Sequence, residues 1–253
     1  MSSSAALRLQ IERAVEHRFP SALTPSPRTI REVAPTGVSA VDDLLEGGLP
    51  VGAISEILGP ESSGRTSLSL AFVARCTENE QCCAWVDVAD AFDPESAAAN
   101  GVELPLLLWV RCRTPERQMK TKPWSRLDQA LRATDLLLQV GGFGAIVLDL
   151  GDTAPEHGTR IPLATWFRFR QAADRTRCCL VVLGQADYAQ SSAAAVLECA
   201  SQHAESAGGT ILRGFDYTVQ RKRERFVPLS TGAAKPPLST WSANAAWHAE
   251  RRG

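Results

Sequence analysis

The sequence predicts an α/β protein, a mostly parallel, doubly wound sheet with an antiparallel extension near its C-terminal end. Three observations predict it. Short apolar runs recur without polar alternation, which suits strands buried on both faces. Helix-period patterns fall between those runs, as successive βαβ units require. Residues 208–229, "GGTILRGFDYTVQRKRERFVPL", then change to strands and tight turns.

In chain order, residues 1–35 read as an N-terminal helix followed by a linker containing Pro20, Pro25, Pro27 and Pro35. Leu7, Ile11, Ala14 and Val15 form one stripe of that helix. The core spans 36–230. Its strands are read at 53–58 (AISEIL), 83–88 (CAWVDV), 106–110 (LLLWV), 145–150 (AIVLDL) and 179–184 (CLVVLG). A helix over 126–140 carries Leu127, Ala130, Leu131 and Leu138 on one face; Ser125 and Asp128 have capping-box spacing, and Gly141-Gly142 stop it. A second helix starts at Pro162 and presents Leu163, Trp166, Phe167 and Arg170 together; a third, over 192–204, groups Val196, Leu197 and Ala200. Residues 231–253 read as a partly ordered tail.

A chain of 253 residues, 44% hydrophobic and 22% charged, can bury the core of one large domain. Its net charge of −1 excludes a general affinity for nucleic acid, so any basic footprint is local. The N-terminus has charges where a signal peptide has an apolar centre, and no stretch reaches the roughly 18–20 apolar residues of a membrane span. The expectation is a cytoplasmic protein, associated with the nucleoid. The seven cysteines include two adjacent pairs, Cys82-Cys83 and Cys178-Cys179, but no C-x-x-C. Neighbours on a strand point to opposite faces, so these read as buried small hydrophobes. The four histidines have no metal-ligand spacing.

Gly59-Pro60-Glu61-Ser62-Ser63-Gly64-Arg65-Thr66 has the spacing of a phosphate-binding loop, with arginine where lysine is usual. It follows a strand and opens a helix from Ser67. Backbone N–H groups of such a loop turn towards phosphate oxygens, and the helix adds its positive end. The candidate nucleotide-binding residues are therefore Gly59, Glu61, Ser62, Ser63, Gly64, Arg65, Thr66 and Ser67, with Thr66 placed to ligate Mg²⁺.

Residues 36–70, "TGVSAVDDLLEGGLPVGAISEILGPESSGRTSLSL", resemble the Walker A region of bacterial RecA. "VDVADAFDP" (86–94) is similar to the segment after it, "AIVLDL" to the Walker B strand, and "LVVLGQ" to the strand ending in a nucleotide-sensing glutamine. The resemblance implies a RecA-like P-loop core, with Asp149 orienting the metal's water shell, Gln185 as the sensor, and ATP or ADP with Mg²⁺ as cofactor. The departures imply that binding is weak or absent. Ala89 stands where the family has its water-activating glutamate, Ser96 where a tyrosine stacks on adenine, and Arg65 where lysine meets the phosphates. One step along a strand turns Asp90 away from the place of that base. Between Gln185 and the next element only Ala186 to Ser192 remain, where strand-exchange recombinases carry a long loop.

Within this superfamily the chain resembles the ImuA family, RecA-like accessory proteins of bacterial mutagenesis. That resemblance implies damage-induced translesion synthesis, with RecA and an ImuB-like Y-family polymerase homologue as partners and an error-prone replicative-type polymerase reached indirectly. The alternatives are a weak DNA-dependent ATPase of the RecA class and a SulA-like cell division inhibitor. Non-specific DNA binding is expected to be led by Arg111, Arg113, Arg117, Lys120, Lys122 and Arg126, with Trp124 available to stack. Arg168 to Arg177 read as a solvated helix face. Arg221, Lys222 and Arg223 fall where RecA places basic residues that reach a neighbouring subunit's nucleotide, or on an edge hairpin. Partner contacts are expected at the two ends, through Leu7, Ile11 and Phe19, and through Trp241, Trp247, Arg251 and Arg252, with self-association as a further expectation.

Overall fold

The computed structural model describes residues 29–112, 124–207, 211–228 and 238–244. In chain order its elements are β1 (Thr29–Arg31), β2 (Val33–Ala34), α1 (Ser39–Leu44), β3 (Leu49–Pro50), β4 (Ile54–Leu58), α2 (Arg65–Glu78), β5 (Cys83–Asp87), α3 (Pro94–Ala99), β6 (Leu107–Arg111), α4 (Trp124–Val140), β7 (Ala145–Asp149), α5 (Pro155–Gly158), α6 (Leu163–Thr176), β8 (Cys179–Gly184), β9 (Ala193–Ala207), β10 (Ile211–Glu224), β11 (Phe226–Pro228) and β12 (Leu238–Asn244).

Eight strands form the main sheet in the order β12-β10-β9-β4-β8-β7-β5-β6. From β9 to β6 all pairings are parallel, while β10 pairs antiparallel with both β9 and β12. Side chains alternate between two layers, so consecutive residues of one strand serve different cores. Leu180 and Val182 join Trp166 and Phe169 of α6 and Leu127, Ala130 and Leu138 of α4. Val181 and Leu183 join Leu68, Phe72 and Val73 of α2 and Val41 and Leu44 of α1. Cys178 and Cys179 follow the same rule, one in each layer. Cys82 does not: it precedes β5 and is exposed.

The five parallel strands lie within a residue of their expected places, and α4 ends where its glycines require. Gly141 takes φ 73° and its N–H donates to Leu137 O at 3.0 Å, closing the helix. Its start moves to Trp124, which puts Ser125 inside the first turn.

Four expectations are corrected. Residues 193–207 are a strand, β9, not a helix: Val196 faces one core layer and Leu197 the other. The alanine-rich stretch favours a helix by itself, but it lies between β4 and β10 and pairs with both, which outweighs local propensity. Second, α6 buries Trp166, Phe169, Ala172 and Ala173, leaving Leu163 and Phe167 outside at 53% and 47% exposure. Third, the core begins before residue 36. β1 pairs in parallel with β11 and β2 pairs with β3, and Arg31 binds Gly52 O and Asp174 at 2.8 Å each. Fourth, part of the supposed tail is sheet. β12 pairs with β10, so β10 is not an edge strand, and Trp241 packs on Tyr217 with ring centroids 4.9 Å apart and against the α1–α2 core layer. Trp241 therefore covers its own sheet. Leu7, Ile11, Phe19, Trp247, Arg251 and Arg252 lie outside the described residues.

Candidate nucleotide site

The phosphate-type loop links β4 to α2 at the carboxyl end of the sheet, where open α/β folds place their ligands. Gly59 N–H donates to Gly184 O at 3.1 Å, anchoring the loop to β8. Gly59 has no room for a Cβ, because Ser63 and the Cys199 carbonyl crowd it. Gly64 caps α2 with φ 85°, and a Cβ there would stand 2.7 Å from the Tyr217 ring of β10. Both glycines are thus demanded by close packing, and Gly64 also by its left-handed backbone. Glu61, Ser62 and Thr66 are exposed; Ser63 is buried, and its hydroxyl has no partner among the described residues.

Arg65 does not reach out of the loop. It is 7% exposed, with Nη1 donating to Gly59 O and Nη2 to Gly151 O at 3.0 Å. Gln185 Nε2 donates to the same Gly151 carbonyl at 2.9 Å. Asp149 ends β7 beside them and accepts the Gly151 N–H at 2.9 Å. Burial pushes the Asp149 carboxyl up to about 6, partly opposed by that N–H and by the nearby Arg65 charge. The fold therefore brings Arg65, Asp149 and Gln185 together, as the sequence motifs require. Their meeting point is the Gly151 backbone.

A cavity of about 220 Å³ opens beside this group, lined by Arg65, Thr66, Asp149 and Asp152 together with Ala89, Asp93 and Ser96, with Trp85 and Phe92 among its apolar walls. Ala89 and Ser96 lie where the sequence places them and offer no carboxylate and no aromatic ring. Asp90 is removed for a different reason from the one expected. β5 ends at Asp87, so residues 88–92 form a turn rather than strand, and Asp90 takes φ 63°. Its carboxylate pairs with Arg111 at 2.6 and 3.1 Å. Asp87 builds this turn: it is 1% exposed and accepts N–H bonds from Asp90, Ala91 and Phe92 at 2.8, 3.1 and 2.9 Å. A lone carboxylate in an apolar strand was the signal that sequence reasoning passed over.

The same signal marks Glu56 in "ISEIL". It is fully buried and accepts the N–H groups of Tyr188 and Ala189 at 2.8 and 2.9 Å. Burial and the neighbouring Asp187 push its carboxyl up to about 8, so it is protonated at neutral pH. Asp187 in turn pairs with Arg223 at 2.6 Å, and Arg223 and Arg225 donate to the carbonyls of Gln190 and Ser191. Tyr188 is 1% exposed, and its ring occupies the space left by Gly158 and Gly184. The loop after β8 is thus pinned from beneath by Glu56, by Arg223 of β10 and Arg225 just beyond it, and to the loop after β7 through Tyr188.

Basic residues expected to be available are largely committed. Arg111 pairs with Asp90 and lies 4.3 Å from the centroid of the Trp109 ring. Arg221 donates to Leu44 O at 3.1 Å, and Lys222 pairs with Glu198 at 2.6 Å. Arg168 pairs with Asp135 at 3.0 Å and Arg170 covers Phe167, as a solvated helix face would. Arg126 is exposed at the start of α4, while Arg113, Arg117, Lys120 and Lys122 lie outside the described residues. Among the described residues no cluster of metal-ligating side chains occurs, and no helix is long and apolar enough to cross a membrane.

The RecA N-terminal domain model matches residues 5–153, more than half of the chain. The chain belongs to the RecA family. Protein RecA of Brucella anthropi is 32% identical to it over 169 residues, covering 61% of this chain and 44% of that protein. Protein RecA of Allorhizobium ampelinum is also 32% identical over 169 residues, covering 61% and 43%. This RecA-family chain therefore spans less than half the length of the curated relatives it matches. The crystal structure of the RadB recombinase shares its fold, with a TM-score of 0.53, 16% identity, and coverage of 77% of this chain and 91% of that one.

Proposed function

We propose that this RecA-family chain is an ImuA-type accessory protein of damage-induced translesion synthesis, acting through protein contacts rather than through ATP turnover. RecA and an ImuB-like polymerase homologue are its proposed partners, with an error-prone replicative-type polymerase reached through them. The observation that carries the reading is Ala89 in the wall of the cavity that Asp149 also lines. Position 89 supplies no carboxylate to activate water, Asp90 is tied to Arg111 and Asp93 caps α3 by accepting the Glu95 and Ser96 N–H groups, and a missing general base typically costs about 10²–10⁴-fold in rate. Members of the family bind ATP with Mg²⁺. Thr66 and Asp149 flank the cavity and suit a metal ion, but Arg65, folded onto two carbonyls, does not suit the phosphates.

The short loop after β8 supports the same reading. With its tyrosine buried and its carbonyls held by arginine, it offers little for a single strand to grip. Any DNA binding is then salt-sensitive, sequence-independent and led by the 111–126 segment. The test is a deletion strain complemented by the full chain, scored for damage-induced mutation, together with pull-downs using purified RecA and the ImuB-like homologue. Restored mutagenesis with retention of both partners is expected. Normal mutagenesis in the deletion strain, or filamentation caused by the chain itself as for a division inhibitor, would overturn the proposal.

A further inference from the structure

Arg65 spends its guanidinium on the protein. Nη1 holds Gly59 O at the start of the phosphate-type loop, and Nη2 holds Gly151 O beyond β7. Gln185, at the end of β8, reaches the same Gly151 carbonyl, while the Gly151 N–H is bound by Asp149. Three segments of the chain, the phosphate-type loop with the start of α2, the end of β7 and the end of β8, meet at Gly151. We propose that Arg65 is a resident clamp: it fixes the loop, Asp149 and Gln185 in one conformation whether or not nucleotide is present.

The proposal rests on the reading that this chain works without turnover, and it adds how the site is regulated: it is not. Side-chain chemistry explains why arginine suits the task. A planar fork with separated donors spans two carbonyls, whereas the lysine ammonium is a single compact charge on a flexible stem. To serve a phosphate, Arg65 must release both carbonyls. Gly151 O would keep Gln185, but Gly59 O, in a loop whose Ser63 hydroxyl already has no partner among the described residues, would lose its donor. Gly151 is part of the device, because a Cβ there would stand 2.9 Å from Arg65 Nη2 and 3.0 Å from Asp149 Oδ1.

Two variants of the full chain open the clamp differently. Arg65→Lys keeps the charge and loses the fork, and Gly151→Ala keeps the arginine and displaces it. Amide hydrogen exchange over 149–153 and 183–187 is followed with and without the Mg²⁺ complex of a non-hydrolysable ATP analogue, and affinity is read from a fluorescent ATP analogue. The wild type should show slow exchange that nucleotide does not change. Both variants should exchange faster at rest, and Arg65→Lys should gain nucleotide-dependent protection with affinity tightened by about tenfold, one lost carbonyl bond to a charged donor being worth at least that factor. Protection of the wild type by nucleotide overturns the clamp. So does unchanged resting exchange in Arg65→Lys. The wild-type arm decides even if both variants misfold, and none of these readouts depends on a partner, so failure of the clamp and failure of the mutagenesis role are separable.

Discussion

Replacing Tyr188 by alanine tests whether the loop after β8 is a structural staple. Its ring is 1% exposed and fills the space left by Gly158 and Gly184, so truncation leaves a cavity between three segments. Removing a buried aromatic ring costs about 3–5 kcal/mol. The backbone bond from Tyr188 N–H to Glu56 at 2.8 Å survives the change, so the loss isolates the ring. The hydroxyl contributes little, because its contact with Thr153 O is 3.5 Å long, and Tyr188→Phe should cost under about 1 kcal/mol. In a chain of this size each 1 kcal/mol lowers Tm by roughly 2–4 °C, so Tyr188→Ala should lower it by roughly 6–20 °C. Urea unfolding followed by circular dichroism gives the free energies. Hydrogen exchange should rise together in 151–162 and 185–192, because one ring holds both. Equal, small costs for the alanine and phenylalanine variants would refute the staple.

Glu56→Gln should fold and retain near-normal stability, because the protonated carboxyl and an amide offer similar hydrogen-bonding groups. Glu56→Ala should cost about 2–5 kcal/mol by leaving the Tyr188 and Ala189 N–H groups unpaired. Glu56 also makes stability pH-dependent. Its carboxyl is raised from 4.5 to about 8 in the folded chain, so the folded state keeps a proton that the unfolded chain releases, and stability falls as pH rises through that window. The glutamine variant should remove that slope in denaturation measured across the range. Trp241→Ala should destabilise by about 1–3 kcal/mol and speed exchange in β12, since a half-buried ring on Tyr217 is lost. Truncation after residue 237 should lower Tm as well, because it uncovers the edge of β10; an unchanged Tm would return 238–244 to the role of a free tail.

The legibility of this fold followed burial. Strands buried on both faces, such as "AIVLDL" and "CLVVLG", announce themselves as unbroken apolar runs, and the glycine loop announces the turn into α2. Residues 193–207 were illegible because alanine, leucine and glutamate favour helix locally. Only the pairing of Val196 with β4 and of Cys199 with Val219 of β10 makes them strand. The α6 face was misread for a related reason: Leu163 and Phe167 are apolar at helical spacing, but the helix docks through Phe169 and Ala172. Arg65, Asp149 and Gln185 were legible as motif positions, whereas their shared partner is a backbone carbonyl that no side-chain pattern encodes. Glu56 and Asp87 were visible as charges in apolar strands. What they bind is several N–H groups of a distant or following turn, which only the folded chain reveals.

The central claim is that the cradle is kept and the chemistry is not. ATP turnover by the full chain, with Mg²⁺ and single-stranded DNA present, measured beside Asp149→Ala, tests it most directly. Background turnover, identical in the two proteins, is the predicted result. Turnover at the level of an active recombinase, abolished by Asp149→Ala, would contradict it.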